Sequence, residues 1–228
     1  MDMDLNVVKG HVQSCASAVD ALLAEVNVLR KIIYKNTSQH RRANYFQYLV
    51  HVKRLHRGMK ADKTKHMIKA TLHLLDVLQV KDTNMHHVSW KVLGGDCKTN
   101  VDTVLRQLLA LIDTCVEAME AEKKAYTALG MQYAMTFFMP FCVVATSLVG
   151  RLYTLHQTLL VRFVEAHHAI TLAYLAQTIL ANPLYASTVT AQLASYRLPP
   201  QVVAALDMTS SLEATTAPLN QENSATSF

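Results

Sequence analysis

The sequence is poor in the residues that end regular structure. Among 228 residues there are only 6 Gly and 5 Pro, too few for the frequent tight turns of a β-sandwich or barrel. Hydrophobic residues make up 51% of the chain, enough to bury a sizeable core. Apolar positions recur at helical spacing, and little of the chain alternates as a strand does. The sequence therefore predicts an all-α protein, an elongated bundle of about five helices.

Motifs of catalysis and of metal binding are missing as well. The chain has no Gly-rich phosphate loop and no nucleophile elbow. Its four cysteines are widely spaced, which fits neither a zinc site nor a disulfide framework and suits a reducing compartment. Glu165 and His168 have the spacing of half a di-iron motif, but the second Glu-x-x-His is lacking. We therefore predict no active site, no metal site and no cofactor.

Negative charge is almost absent from residues 30–69. This region holds twelve Lys or Arg residues against one carboxylate, Asp62, whereas the rest of the chain has ten bases and sixteen acids. So concentrated a positive charge indicates a polyanionic partner, either a nucleic acid or an anionic membrane surface. Tyr, His, Asn and Gln side chains are interleaved with the bases. They are able to stack on unpaired bases or bond to sugar hydroxyls, which a merely solvated face does not require.

Helix boundaries follow from the apolar spacing. From Val8 to Ile33 the gaps alternate between four and three residues, which predicts one long helix with a single packing seam. We expect this helix to end near Asn36, and a second helix, capped by Thr37 or Ser38, to run to about Arg57. The remaining predicted helices run from about 62 to 80, from 96 or 99 to as far as 138, and from a break at 140 to about 181. The seam residues are Val8, Val12, Cys15, Val19, Leu22, Val26, Leu29 and Ile33.

Two further segments bear on domain organisation. Ala125–Gly150 contains 26 residues without a charge, a length that is able to span a bilayer. Its Gly, Gln, Thr, Ser and Pro residues favour instead a helix buried inside a soluble bundle. We predict a helical bundle over residues 1–182 and a Ser/Thr/Ala-rich tail over 183–228. Short helical turns are expected around 188–196 and 200–206, with disorder beyond Met208.

The basic segment carries a resemblance to a known family. The stretch "YKNTSQHRRANYFQYLVHVKR" contains Asn36-x-x-Gln39-His40-Arg41 directly after the first predicted helix. It resembles the corresponding turn of the ribonuclease MRP-specific small protein subunit of yeasts, and is similar to the N-terminal domain of the animal nucleolus and neural progenitor protein. A second stretch, Ala128–Leu155, resembles the uncharged helix of the same family. Family members often carry a Lys-rich C-terminal tail, whereas residues 199–228 here contain no Lys or Arg.

The resemblance implies a non-catalytic, RNA-binding subunit of a ribonucleoprotein endonuclease that acts on precursor ribosomal RNA in the nucleolus of the nucleus. Its implied partners are the structured RNA of ribonuclease MRP and other protein subunits of that particle, with no membrane. Two alternatives stay open: a helical scaffold that offers its basic face to an acidic protein, and a single-span membrane protein. The residues expected to contact RNA are Lys35, Asn36, Gln39, His40, Arg41, Arg42, Asn44, Tyr45, Lys53 and Arg54.

Overall fold

The described part of the chain is entirely helical apart from short connections. The computed structural model describes residues 5–58, 61–79, 97–181 and 198–215, and these form six helices and no strand. The all-α prediction is confirmed. The helices are α1 (Leu5–His40), α2 (Asn44–Gly58), α3 (Ala61–Gln79), α4 (Cys97–Ala134), α5 (Met139–Ala181) and α6 (Pro200–Thr215).

Helix α1 supplies one side of the core through the predicted seam. All eight seam residues from Val8 to Ile33 are buried, each no more than 3% exposed. At about 1.5 Å per residue the 36-residue helix is about 54 Å long, and it packs along α5 and α3. The 3.5-residue repeat is therefore confirmed as a packing surface inside the bundle. Ion pairs join the same helices at the surface, such as Arg151 Nη2 with Glu25 Oε1 at 2.6 Å between α5 and α1.

Helices α4 and α5 form the longest contact of the bundle. A four-residue turn, Met135–Phe138, joins them, and they pack side by side, so they run antiparallel. We predicted α4 to continue to Phe138 and the chain to break at Pro140, but the break lies before Pro140. Pro140 instead occupies the first turn of α5, where its missing N–H has no intrahelical partner to lose.

The uncharged run Ala125–Gly150 is thus divided between the end of α4, the turn and the start of α5. It does not form one continuous helix of the kind that a membrane span would need. Its buried members are Ala125, Leu129, Cys142, Ala145, Leu148 and Val149, which confirms the core role at those positions. Among the described helices, α1 is the one long and apolar enough to cross a membrane by length and composition. A core helix of a soluble bundle has the same composition, and the α1 seam is covered by its neighbours.

Two shorter helices complete the bundle. Helix α2 packs on α4 and buries Tyr45, Leu49 and Val52, whose spacing of four and three residues places them on one face of the helix. Helix α3 packs on α1 and begins within one residue of its predicted start. Helix α2 begins four residues after the end of α1, so its first turn lies next to that end.

The chain divides into a first unit that ends at Arg197 and a second unit that begins at Leu198. The second unit contains α6, which continues to Thr215. This helix is longer than the short turn predicted around 200–206 and continues past Met208, beyond which we predicted disorder. The turns predicted around 188–196 and the residues after 215 lie outside the described part of the chain.

Candidate nucleic-acid interface

The turn between α1 and α2 lies later in the chain than the sequence predicts. Asn36 Nδ2 donates to the carbonyl of Ile32 at 2.8 Å, and Thr37 Oγ1 donates to the carbonyl of Ile33 at 2.5 Å. Because both side chains bond back along α1, they do not cap α2, and α1 continues to His40. The predictions that α1 ends near Asn36 and that Thr37 or Ser38 caps α2 are therefore wrong.

Residues 41–43 make the turn itself. The Ala43 carbonyl accepts from the backbone N–H groups of Phe46 and Gln47, each at 3.1 Å, so α2 begins immediately after it. The Gln47 side-chain amide donates to the Arg41 carbonyl and closes the turn from outside. Arg41 and Arg42 are both exposed. The two guanidinium groups consequently project from a tight corner that hydrogen bonds hold on both sides.

Most of the predicted RNA-contacting residues near this corner are accessible. Lys35, Gln39 and Asn44 are exposed together with the two arginines, and Asn36 is half-buried. The described residues 30–58 contain no carboxylate. Positive charge at the corner is therefore not neutralised by an acid of the same segment, in contrast to Lys65 of α3, whose Nζ pairs with Asp20 Oδ1 at 2.5 Å.

His40 and Tyr45, two of the predicted contact residues, lie inside the protein. They are 3% and 7% exposed, and Tyr45 Oη lies 2.6 Å from His40 Nδ1. Burial lowers the pKa of His40 below its ordinary value, which favours the neutral ring that accepts this hydrogen bond. Direct contact of either ring with RNA would require it to leave this position, so the structure gives both residues a packing role.

The rings that cover His40 come from the α4–α5 hairpin. The Phe141 ring stacks on the imidazole at 4.7 Å between centroids, and the Phe138 ring meets it edge-on at 4.6 Å. His40 therefore joins the α1–α2 corner to the tip of the hairpin, two parts of the chain almost a hundred residues apart. The corner and the tip form one end of the bundle.

The hairpin tip is apolar and exposed. Met135, Phe137 and Phe138 are 62%, 66% and 45% exposed. Thr136 and Phe138 have φ values of 63° and 58°, in the left-handed region that non-glycine residues rarely adopt. Strained backbone and exposed aromatic rings are both unusual in a turn that only connects two helices, and strain of this kind concentrates at functional sites.

We define the corner surface as the exposed residues of the α1–α2 corner together with those of the hairpin tip. It combines cationic groups that are able to neutralise phosphates with apolar rings that are able to stack on bases. Lys53 and Arg54 are not part of it, since Arg54 lies ten residues along α2 from Asn44, about 15 Å away. The members of the corner surface are Lys35, Gln39, Arg41, Arg42, Asn44, Met135, Phe137 and Phe138.

A second polar constellation lies inside the bundle. His56 of α2, Glu122 of α4 and His156 of α5 are each 4% exposed or less. Glu122 Oε1 lies 3.3 Å from His56 Nε2 and 3.0 Å from His156 Nδ1. Burial opposes ionisation of Glu122, but the hydrogen bonds from both histidines outweigh it, so the pKa of the carboxyl lies below its usual value. Burial lowers the pKa of His56 and favours its neutral form.

The sequence of the structured region matches a family model over most of its length. The family is described as "Nucleolus and neural progenitor protein, N-terminal", and the match covers residues 4–170. The chain belongs to this family. No curated protein and no solved structure gives a significant match.

The match to the nucleolus and neural progenitor protein family includes both constellations. Residues 4–170 span α1 to α4 and most of α5, and so contain the corner surface and the cluster of His56, Glu122 and His156. The predicted relation to this family is confirmed, whereas the relation to the ribonuclease MRP subunit of yeasts stays a prediction.

Sequence reasoning missed part of each site for different reasons. His40 lies seven residues after Ile33, so extending the 3.5-residue repeat by one heptad would have placed it on the buried seam. The exposed hairpin tip lies within the uncharged run Ala125–Gly150, whose composition predicts a buried helix, so the exposure of the tip was not predicted. The members of the His56–Glu122–His156 cluster are 66 and 34 residues apart in sequence, and no local motif joins them.

Proposed function

We propose that the protein is a non-catalytic, RNA-binding subunit of a nucleolar ribonucleoprotein that resembles ribonuclease MRP and processes precursor ribosomal RNA. The observation that carries this proposal is the corner surface, where exposed aromatic rings share one end of the bundle with positive charge from a described segment, 30–58, that contains no carboxylate. The family name supports a nucleolar setting. The resemblance of the segment Asn36–Arg41 to the yeast subunit supports membership of a particle that is related to ribonuclease MRP.

The chemistry of the corner surface fits RNA in two ways. Guanidinium groups bind phosphate oxygens in a forked geometry and supply most of the affinity, in proportion to the counterions that they release. Exposed aromatic rings hold unpaired bases by stacking, which is tolerant of sequence. Gln39 and Asn44 add neutral donors and acceptors for sugar hydroxyls. Together these groups favour a looped or single-stranded part of a structured RNA over a uniform duplex.

The aromatic half of this proposal is tested at Phe137. Replacing Phe137 by Ala is expected to weaken binding of an unpaired RNA roughly 10- to 100-fold, because one base loses its stacking partner. The melting temperature should hardly change, since this side chain is 66% exposed. Fluorescence anisotropy with labelled single-stranded and hairpin RNAs measures the effect.

Tyr126→Ala serves as the matched control. Tyr126 is also an exposed aromatic residue, at 51% accessibility, but it lies inside α4 and more than two helical turns from the hairpin tip. It should bind RNA as the wild type does. Equal affinities for wild type and Phe137→Ala would exclude stacking at the tip.

We also expect the purified protein to have no nuclease activity. Cleavage of RNA by two metal ions requires clustered carboxylates near the scissile phosphate, and none lies among the described residues 30–58. Precursor ribosomal RNA incubated with the RNA-free protein and Mg²⁺ should stay intact on a denaturing gel. Cleavage that copurifies with the protein through successive columns, and that disappears with Mg²⁺ chelation, would refute this expectation.

A second candidate function is supported by the same tip. Exposed Met and Phe side chains are common where one protein docks on another, so a helical interaction scaffold is the alternative. The two functions differ in salt dependence, because phosphate contacts weaken steeply as salt rises and apolar docking does not. RNA capture that is lost between low and moderate salt favours the RNA-binding function.

A further inference from the structure

We infer that His56, Glu122 and His156 form a binding site for a divalent transition metal ion, with Zn²⁺ the best match to the donor set. Two imidazoles and one carboxylate are among the commonest zinc ligands in proteins. All three side chains are buried, and each comes from a different helix of the bundle. The inference concerns the core of the protein and does not depend on RNA binding.

The spacing of the donor atoms is close to what a metal ion requires. In a tetrahedral site with metal–ligand bonds of about 2.0–2.1 Å, two ligand atoms lie about 3.3 Å apart. Glu122 Oε1 is 3.3 Å from His56 Nε2 and 3.0 Å from His156 Nδ1. One donor atom from each residue lies within 4.8 Å of the others. Two of the three donor–donor distances are therefore already close to those around a tetrahedral ion.

The arrangement is also held in advance of binding. The two imidazole rings stack at 4.9 Å between centroids and 25° between planes, so each limits the rotation of the other. Their helices, α2 and α5, both pack on α4, which carries Glu122. Ligands fixed by rigid helices lose little conformational freedom when an ion arrives, and this raises affinity.

Charge gives the physical reason why a cation belongs here. Glu122 is fully buried and its carboxylate accepts hydrogen bonds from both rings. The carboxylate is a negative charge held away from water, a position that a nearby cation stabilises. The cluster also contains an unsatisfied polar atom, because Nε2 of His156 is buried without a hydrogen-bond partner among the described residues. A divalent ion coordinated by the carboxylate and both imidazoles would supply the positive charge.

A groove lies next to the cluster on one side. His56 lines this groove, which has a volume of about 870 Å³ between α2, α3 and α4, and its other walls include Thr64, Met67 and Ala118. We infer that an ion would approach the cluster from this groove and that a water molecule would be its fourth ligand. Because its three protein ligands lie on three helices, a bound ion would link α2 to the α4–α5 hairpin.

Metal binding is tested on the full-length chain without a histidine tag, after dialysis against EDTA and then a metal-free buffer. Addition of Zn²⁺ followed by gel filtration should leave about one zinc per chain by elemental analysis. The melting temperature should rise by roughly 5–10 °C at saturating Zn²⁺. Co²⁺ should give visible absorption bands of a tetrahedral complex with nitrogen and oxygen ligands.

Variants assign the binding to these residues. Glu122→Gln keeps the shape of the side chain but removes the charge, and should lower the affinity for Zn²⁺ more than tenfold. His66→Gln is the matched control, because His66 is an exposed histidine that lines the same groove outside the cluster. It should bind Zn²⁺ as the wild type does.

Two results would overturn the inference. One is a wild-type chain that is folded by circular dichroism but retains no zinc and melts at the same temperature with and without it. The other is zinc binding that Glu122→Gln leaves intact or that His66→Gln abolishes. Should Glu122→Gln fail to fold, the cobalt spectrum and the zinc content of the wild type decide the question.

Discussion

Replacement of Arg41 and Arg42 together by Ala is expected to weaken RNA binding roughly 100-fold at low salt. Each of the two arginines makes a charge-assisted contact with phosphate, and the loss of each contact lowers the affinity for RNA about tenfold. The slope of log affinity against log salt concentration should become less steep by about 1.4 to 1.8, since two phosphates no longer release their counterions. The fold should survive, because both side chains are exposed at a turn. RNA titrations at four or more salt concentrations, with parallel melts, measure both effects.

Two controls make this result specific. Arg106→Ala with Lys69→Ala removes the same net charge from exposed positions on α4 and α3, and should leave affinity nearly unchanged. Arg41→Lys with Arg42→Lys keeps the charge but loses the forked geometry, so the salt slope should stay while affinity falls only in part. An unchanged slope combined with a large loss of melting temperature would show that the arginines stabilise the fold and do not bind RNA.

Leu148→Lys is expected to unfold the protein. Leu148 is 5% exposed. It lies on α5, the helix that packs against α4, in the second half of the uncharged run. A buried ammonium group without a partner is destabilising by about 3–5 kcal/mol, and loss of the leucine packing adds to this. Such a change is a large part of the 5–15 kcal/mol that typically stabilises a domain. Circular dichroism melts and gel filtration at matched concentration report the loss.

Val144→Lys is the companion variant, one helical turn earlier on α5 and 55% exposed. Its ammonium group stays in water, so the variant should fold and melt within a few degrees of the wild type. If both variants fold equally well, Leu148 is not buried in the folded protein, and its placement in the core is refuted. If the wild type and both variants instead all partition into membranes, the single-span membrane alternative is supported.

Local patterns in the sequence predicted the helices better than they predicted the site. The seam from Val8 to Ile33 is confirmed residue by residue, because burial of one helical face depends only on spacing along that helix. The end of α1 was misplaced, since Asn and Thr are able to cap a helix or to bond back within one, and the choice depends on what the next residues contact. Here aromatic rings from the hairpin tip and from the first turn of α5 pack on His40, and α1 continues as far as this contact.

The tip and the buried cluster show a second limit of the sequence. An uncharged run such as Ala125–Gly150 reads as core, yet a turn inside it exposes Phe137, and nothing in its composition marks where the turn falls. His56, Glu122 and His156 meet because α2, α4 and α5 pack together, which is a property of the tertiary fold alone. Individual histidines and glutamates are common on helices, so their convergence is visible only in three dimensions.

The contact of His40 with Phe138 and Phe141 has a consequence for the order of folding. A four-residue connection lets α4 and α5 meet quickly, because closing a short loop loses little chain entropy. The contact between α1 and α5 closes a loop of nearly a hundred residues and is expected to form later. The arginines of the corner are therefore expected to reach the aromatic tip only after the α4–α5 hairpin has formed. A newly made chain would then present the complete corner surface only once α1 has packed on that hairpin, and on the proposed function a partly folded chain would lack half of its RNA contacts.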